Sequence, residues 1–480
     1  MKSSIAIPER VLVIAFLVAA CAVRFIGLAR YSFDPDEIFS VRAAQASWAG
    51  LFGIAARDVS HPPLFYALLK IWLVFGPPTE GWVRLLPAMI GAATFVPFYA
   101  LCRRLRLEPG ALAVALALFT ASAVLIDYAQ YARMFSLLQF AGALSILAFL
   151  VFIDSGSRRA FWVLTAANVL MVYAHYWGWM AVLAQFCILL LLRRDRLKTY
   201  AVSSALVALA FLPWAWTVAA AAAGQGSATA QIRWMGAPDW LNVVWLFGNL
   251  TGAPHFRHAT AVGLTLFAVP LAFLAWRLVR ARAFAPLAFI LLVAVPVLAT
   301  ILLGLVTGQP VWGERHLSMV AVPYFLLVAL ATMSVPWPRI RAGLQVALML
   351  WATLAGAQFL LTQGRMLQWG QLVDAMIEET PGRPLLIQTA EPWLCDPIVY
   401  FVGRSGAHDI EVTLVEDTAR APPGDRYWYV VRDTTWTQAE SPVRILVDAG
   451  FRIERMLAIT TPSQRVVAYR VRRGVDGPVL

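Results

Sequence analysis

The 480-residue chain is 60% hydrophobic and 14% charged, whereas a soluble domain is about 45–50% apolar and about 25% charged. This composition excludes a soluble globular protein, because no single core could bury so many apolar side chains. The net charge of +12 does not indicate nucleic-acid binding, since no basic segment carries interleaved aromatic residues and membrane proteins collect Arg and Lys on cytoplasmic loops.

Repeated apolar runs predict transmembrane helices, each of which needs about 20 residues to cross a bilayer. In chain order these runs are 10–29, 83–101, 110–127, 134–153, 160–176, 178–193, 200–220, 260–279, 283–306, 316–335 and 340–362. The predicted fold class is therefore an all-α polytopic membrane domain of about eleven transmembrane helices. The apolar stretch 63–76 is too short to span and is interpreted as an interfacial or re-entrant helix.

Basic clusters at every second connection define the predicted orientation, because positively charged loops stay in the cytoplasm. The N-terminus is then cytoplasmic, and the loops 30–82 and 221–259 lie on the outer face. The first run lacks a cleavage motif and is interpreted as a signal anchor. We therefore expect a multi-pass protein of the bacterial inner membrane. The basic clusters are 103–106, 158–159, 193–198, 277–282 and 339–341.

The composition changes after residue 363. Segments 385–389, 428–432 and 465–470 have the pattern of strands, and 367–379 has that of a helix with an apolar face. These elements predict a small α/β domain at 364–480, on the extracytoplasmic side, after a membrane domain at 1–363. No internal repeat is visible, which disfavours a transporter built from duplicated halves.

Three carboxylates, Asp34, Asp36 and Glu37, follow the first apolar run. Ionisable residues beside a membrane span are candidates for function, and a carboxylate can act as a general base. A structural interpretation is equally open, because Asp caps a helix and Glu favours its positive N-terminal end.

Cationic candidates lie on the same predicted face. His61-Pro62-Pro63 begins an apolar helix that carries Lys70, and a helix N-terminus favours an anion; the alternative is a Pro-started helix with an interfacial His. Arg133 and Arg315 either extend to lipid headgroups or bind a phosphate through two parallel hydrogen bonds. Together these residues suit an anionic lipid headgroup at the outer leaflet. Three further histidines, His175, His255 and His258, are interpreted as structural.

These segments resemble the GT-C superfamily of lipid-sugar-dependent glycosyltransferases, in particular the bacterial branch related to protein O-mannosyltransferases and aminoarabinose transferases. The resemblance covers residues 1 to about 340. It rests on Asp36-Glu37, His61-Pro62-Pro63-Leu64, Arg84 with Pro87 and Gly91, the stretch 129–134, the turn His175-Tyr176-Trp177-Gly178, and Arg315-His316 before Pro323.

The resemblance implies an inverting transfer of a monosaccharide from a polyprenyl-phosphate carrier at the outer face of the inner membrane. The acceptor is an envelope lipid, glycan or protein. The Asp-Glu pair of the family maps onto Asp36 and Glu37, which are the candidate catalytic residues, with Asp36 as general base. The candidate residues for binding the lipid phosphate are His61, Lys70, Arg84, Arg133 and Arg315.

The chemistry of such a transfer needs few groups. A base activates the incoming hydroxyl, the phosphate leaves as a stable anion, and nearby cations stabilise its charge. No ligand set for a metal is recognisable in the spacing, so neither a metal nor another cofactor is predicted. Two alternatives stay open: a transporter or flippase of a lipid-linked or anionic substrate, and an assembly subunit with a degenerate site.

Overall fold

The computed structural model forms two compact units. The first comprises Met1–Leu28, Ala43–Pro78 and Trp82–Thr362, and the second comprises Ala29–Arg42, Thr79–Gly81 and Gln363–Leu480. The residues that the structure describes are 8–58, 60–224, 239–252, 260–281, 283–362, 367–380, 385–389, 391–407, 409–414, 425–432, 442–461 and 465–474.

The first unit is built of helices. In chain order the helices up to residue 362 are α1 (Glu9–Phe25), α2 (Pro35–Gln45), α3 (Trp48–Asp58), α4 (Leu64–Trp72), α5 (Glu80–Ala93), α6 (Phe95–Arg104), α7 (Pro109–Ala121), α8 (Ala123–Ala129), α9 (Phe135–Ser155), α10 (Arg158–Ala174), α11 (Gly178–Leu192), α12 (Leu197–Gly224), α13 (Trp240–Thr251), α14 (Thr260–Arg280), α15 (Phe284–Thr307), α16 (Ala321–Thr332) and α17 (Pro338–Thr362). Short 3₁₀ turns at Arg194–Arg196 and His316–Val320 precede α12 and α16.

Each predicted apolar run coincides with a helix or with two consecutive helices. Within the described residues, six helical segments are long and apolar enough to cross a membrane, and α7 with α8, bent by 44°, would make a seventh. The chain is therefore a multi-pass membrane protein, although the number of eleven spans is not confirmed. α11 and the stretch His316–Thr332 are apolar but shorter.

The predicted outer loops also contain helices. The stretch 63–76 contains α4, as expected, while its position relative to the membrane stays a prediction. The loop 221–259 contains α13. Residues 225–238 and 253–259, which include His255 and His258, lie outside the described residues.

Side-chain hydrogen bonds position the segment between α8 and α9. Ser122 caps α8, since its Oγ accepts the Leu125 N–H at 3.3 Å. Gln130, just after α8, donates its Nε2 to the carbonyl oxygens of Val23 at 3.0 Å and Ile26 at 2.9 Å. These carbonyls lie in the last turn of α1 and at its C-cap, where C=O groups have no partner within the helix. The start of the 130–134 connection is thus fixed to the end of α1.

A buried polar network joins α9, α10 and α11. Ser145 donates to Asn168 at 2.6 Å, Asn168 donates to Gln185 at 3.0 Å, and Gln185 donates back to Ser145 at 2.7 Å. Tyr200 of α12 donates to the same Gln185 oxygen at 2.9 Å. Interhelical hydrogen bonds of this kind stabilise helix packing in membranes, so this bundle is a rigid support for the connections at its ends.

The second unit contains a mixed five-stranded sheet of order β2-β1-β3-β5-β4. β1 is parallel to both β2 and β3, whereas β5 is antiparallel to β3 and β4. The strands and helix predicted for this region are confirmed. The elements are α18 (Trp369–Glu378), β1 (Leu385–Thr389), α19 (Pro392–Ser405), β2 (Ile410–Leu414), β3 (Arg426–Arg432), α20 (Pro442–Asp448), β4 (Phe451–Thr460) and β5 (Arg465–Arg473).

Residues 29–42 are fastened to α18 and α19 within this second unit. Gln368 accepts the Ser32 N–H at 3.3 Å and donates its Nε2 to the carbonyl of residue 30 at 3.2 Å. Phe33 packs edge-on against Tyr400 at 6.0 Å between ring centroids. Arg42 forms an ion pair with Asp396 at 2.9 Å. We call this set of contacts the tether.

Candidate functional site

The three predicted carboxylates form the first turn of α2. Asp34 Oδ1 accepts the N–H of Asp36 at 3.0 Å, and Glu37 Oε2 accepts the N–H of Asp34 at 3.0 Å. This reciprocal arrangement is a capping box, which satisfies N–H groups that have no partner within the helix. The structural interpretation of this motif is therefore confirmed for Asp34 and Glu37.

Asp36 differs from its two neighbours. It contributes only its backbone N–H to the capping box, and its carbonyl oxygen accepts the Ser40 hydroxyl at 3.1 Å. The side chain is half-buried, whereas Glu37 is fully buried. The capping box therefore does not use the Asp36 carboxylate.

Four connections at helix ends in the first unit bring cationic and imidazole side chains together. His61 precedes α4, Arg133 lies between α8 and α9, His175 lies between α10 and α11, and Arg315 and His316 precede α16. We call these five residues the histidine–arginine cluster. The ring centroids of His61 and His175 are 5.2 Å apart, those of His175 and His316 4.8 Å, and those of His61 and His316 6.1 Å.

Arg133 and His61 contact each other inside this cluster. Nη2 of Arg133 lies 3.1 Å from Nδ1 of His61, and the two residues are 3% and 5% exposed. The guanidinium also lies over the Tyr66 ring, 5.8 Å from its centroid. Asp58 Oδ2 approaches the same His61 nitrogen at 3.4 Å. A fixed, dry guanidinium of this kind can bind a phosphate more strongly than a solvated one.

His175 is fully buried and held by the turn that it begins. Its Nδ1 accepts the Trp177 backbone N–H at 3.1 Å, and the Trp177 indole donates to Thr300 of α15 at 3.0 Å. Trp177 also packs against His316, 4.7 Å between ring centroids. The position of the ring is thus set by three segments of the chain.

The loop before α16 adds charges of both signs. Arg315 is half-buried. The neighbouring Glu314 accepts a hydrogen bond from Asn249 of α13, and burial raises the pKa of Glu314 above its ordinary value. A carboxylate whose pKa is raised is more easily protonated, which reduces its opposition to an anion bound beside Arg315.

Two of the predicted phosphate-binding residues, Lys70 and Arg84, make main-chain contacts. The Lys70 ammonium donates to the carbonyl of Ala44 at 3.2 Å and to that of Ala46, so it caps the end of α2. Arg84 is 2% exposed and donates Nη1 to the Leu28 carbonyl at 3.0 Å. The cluster brings together His61, Arg133 and Arg315, whereas these contacts of Lys70 and Arg84 support neighbouring backbone.

The sequence interpretation assigned no binding role to two members of the cluster, His175 and His316. His175 was expected to be structural, yet its ring faces two other histidines. His61, His175 and His316 are also the grouping within the described residues that could hold a metal ion, with ring nitrogens within 4.8 Å of one another. No spacing rule could have grouped these three histidines, because any two of them are more than a hundred residues apart in the sequence. The feature that could have indicated these histidines is that each lies directly at the boundary of a helix.

Comparison with known proteins shows the fold. No family model matches the chain, and no curated protein is similar to it in sequence. The structure of ArnT from Cupriavidus metallidurans bound to undecaprenyl phosphate is 12% identical, with a TM-score of 0.56 over 96% of this chain and 98% of ArnT. The apo state of ArnT gives 12% identity, the same coverage and a TM-score of 0.57.

A more distant match is the arabinosyltransferase EmbB from Mycobacterium smegmatis, which is 13% identical with a TM-score of 0.43 over 85% of this chain and 44% of EmbB. ArnT is an aminoarabinose transferase of the GT-C superfamily. The fold that this chain shares with ArnT is the one that the sequence resemblance implied.

Proposed function

We propose that the chain is an inverting glycosyltransferase. It moves a monosaccharide from a polyprenyl-phosphate carrier to an envelope lipid, glycan or protein at the outer face of the inner membrane. The fold shared with ArnT, whose structure was solved with undecaprenyl phosphate bound, supports a polyprenyl-phosphate donor.

The single observation that carries this proposal is the histidine–arginine cluster. Arg133 is 3% exposed, and His61, His175 and His316 are each at most 5% exposed. So many cationic and hydrogen-bond-donating groups close together favour an anion with several acceptor oxygens as the ligand. In a membrane protein, the phosphate of a lipid carrier is an anion that reaches such a position while its hydrocarbon chain stays in the bilayer.

The proposed reaction is a single displacement. Asp36 accepts the proton of the acceptor hydroxyl as its oxygen attacks the anomeric carbon, and the bond from that carbon to the phosphate oxygen breaks. Polyprenyl phosphate leaves with the electron pair, and the anomeric centre inverts. The cluster stabilises the negative charge that grows on the phosphate. Glu37 holds the first turn of α2 in place for Asp36.

The test is a transfer assay with purified full-length protein. Radiolabelled polyprenyl-phosphate sugars of several kinds serve as donors, and envelope membranes supply the acceptors. Asp36→Asn removes the base while keeping the size of the side chain, so we expect transfer to fall about 10²-fold or more. Asp34→Asn is the matched control two residues away, because Asn caps a helix about as well as Asp, and it should retain activity within about threefold.

Two results would overturn parts of the proposal. If the wild-type protein transfers no sugar from any donor, the glycosyltransferase assignment is wrong, and transport of the same lipids becomes the function to measure. If the wild type transfers sugar and Asp36→Asn transfers it equally well, the reaction stands but Asp36 is not the base.

A further inference from the structure

The side chain of His175 has one nitrogen that the protein leaves unused. Nδ1 accepts the Trp177 N–H at 3.1 Å, so in the neutral ring the proton is on Nε2. This Nε2 is buried, and no hydrogen-bond partner within the described part of the chain meets it. A buried donor without an acceptor destabilises the folded protein. An acceptor that is not part of the chain would remove this destabilisation.

The surroundings of His175 indicate the charge of that acceptor. The side chains that act on it electrostatically are two imidazoles, His61 and His316, and two guanidinium groups, Arg133 and Arg315. The aromatic face of Phe135 lies 6.1 Å from the ring between centroids. A ligand in contact with Nε2 is thus surrounded by donors and positive charge, which favours an anion with several acceptor oxygens.

The hydrogen bonds of the cluster oppose a metal ion at the same place. A histidine binds a metal only through an unprotonated nitrogen. In His61, Nδ1 lies 3.1 Å from Arg133 Nη2 and 3.4 Å from Asp58 Oδ2. Since arginine cannot accept a hydrogen bond, the closer contact makes Nδ1 the acceptor and leaves the proton on Nε2. In this arrangement the Nε2–H of His175 donates to an anion, and a metal could bind that nitrogen only if it lost its proton.

We propose that His175 is a binding residue for the phosphate of the substrate lipid, to which its Nε2–H donates. This inference rests on the proposed function, since it adds a residue to the phosphate site of that reaction. Trp177 and Thr300 act on the phosphate only through His175, because they fix the orientation and the tautomer of its ring.

Two substitutions separate the Nε2 donor from the rest of the ring. His175→Gln keeps an amide N–H near the position of Nε2, whereas the shorter His175→Asn places its amide near Nδ1. We expect His175→Asn to weaken the binding of undecaprenyl phosphate about tenfold or more, in line with the loss of a hydrogen bond to a charged group. His175→Gln should stay within about threefold of the wild type. The control for local damage is Tyr173→Phe, two residues before His175. This substitution removes a hydroxyl that donates a hydrogen bond to the Ala210 carbonyl.

Affinities for undecaprenyl phosphate, inorganic phosphate and Zn²⁺ are measured by titration calorimetry on the purified full-length protein, with thermal denaturation to verify folding. If His175→Asn binds undecaprenyl phosphate as tightly as the wild type, the inference is wrong while the proposed function stands. Stoichiometric Zn²⁺ binding that His175→Asn abolishes would also overturn it, because Nε2 would then be a metal ligand.

The remaining outcomes distinguish the two proposals and the source of the phosphate. Wild-type protein that neither transfers sugar nor binds undecaprenyl phosphate refutes the proposed function, and the inference with it. If inorganic phosphate binds and is weakened by His175→Asn while the lipid does not bind, the anion site is real but its ligand is free phosphate, which overturns the lipid assignment. Equal loss in His175→Asn and His175→Gln shows that the ring is structural.

Discussion

The first turn of α2 and the histidine–arginine cluster both contain several ionisable side chains. The two regions differ in where the hydrogen-bond partners of these side chains lie. In α2, Asp34 and Glu37 accept hydrogen bonds from N–H groups two or three residues away. In the cluster, His61 and Arg133 come from different connections and are 72 residues apart in sequence, while His175 keeps one nitrogen without a partner in the described chain.

This difference separates structural from ligand-binding polar groups. A capping box is complete by itself, since every donor has an acceptor on the same helix turn. In the cluster, the described chain offers no acceptor to the buried Nε2–H of His175, and such a donor is unstable unless a ligand supplies an acceptor. Buried charge alone therefore does not identify a binding site; in the cluster, the unused Nε2–H of His175 among several cationic groups indicates one.

The largest expected effect is a loss of lipid affinity on replacing Arg133, compared with Arg24, a second buried arginine. Arg133 lies in the cluster, whereas Arg24, which is fully buried in α1, donates to the carbonyls of Ala20 and Phe119, both at 3.0 Å. Arg133→Met should weaken the binding of undecaprenyl phosphate about 10- to 100-fold, since it removes hydrogen bonds to a charged group. Arg24→Met should lower thermal stability and leave that affinity within about threefold. Titration calorimetry and thermal denaturation of both variants measure the difference.

Similar losses of affinity in Arg133→Met and Arg24→Met would contradict the comparison. They would mean that burial itself, rather than the set of donors around the guanidinium, determines the effect on the lipid. Arg133→Lys is an informative third variant, because it keeps the charge but loses the two-pronged geometry of the guanidinium. It should bind with intermediate affinity.

A smaller effect is expected at the capping box. Asp34→Ala removes the acceptor of the Asp36 N–H and should destabilise the start of α2 by about 1 kcal/mol, whereas Asp34→Asn should cost a few tenths. Hydrogen exchange of the amides at 36–38 measures this directly, and transfer activity should fall with the loss of protection. Equal protection in the Ala and Asn variants would show that the capping box does not hold this turn.

The smallest effect is expected at the charged contact of the tether. The side chains of Arg42 and Asp396 are 40% and 64% exposed, and ion pairs between exposed side chains contribute about 0–1 kcal/mol. Asp396→Asn should therefore change thermal stability and transfer activity very little, and added salt should reduce even that difference. A large loss of activity would show that this pair controls the position of α2, a role that exposure argues against.

Much of the fold could be predicted from the sequence because it depends on local patterns. Apolar runs such as 134–153 and 283–306 coincide with α9 and α15, and the strand at 385–389 is β1. The breaks were not predictable: Ser122 ends one helix and caps the next. Whether such a bent pair or a shorter helix counts as a span depends on tertiary packing, so the total of eleven is not confirmed.

In the candidate site too, local features could be predicted from the sequence and long-range contacts could not. The interpretation of Asp34 and Glu37 as helix caps needed only their spacing, and the structure confirms it. Arg133 and Arg315 were selected for their position on one predicted face. Nothing in the sequence indicated that the charges of both arginines act on His175. Contacts between connections of four different helix pairs are not encoded in any local window.

The tether has a consequence for the order in which the protein matures. Ser32 and Arg42 bind partners 336 and 354 residues later in the chain, so during synthesis the start of α2 emerges long before Gln368 and Asp396 exist. Domains fold largely in the order of their synthesis, but this contact can close only after the intervening helices have entered the bilayer. The helix that carries Asp36 thus acquires this support only at a late step of assembly.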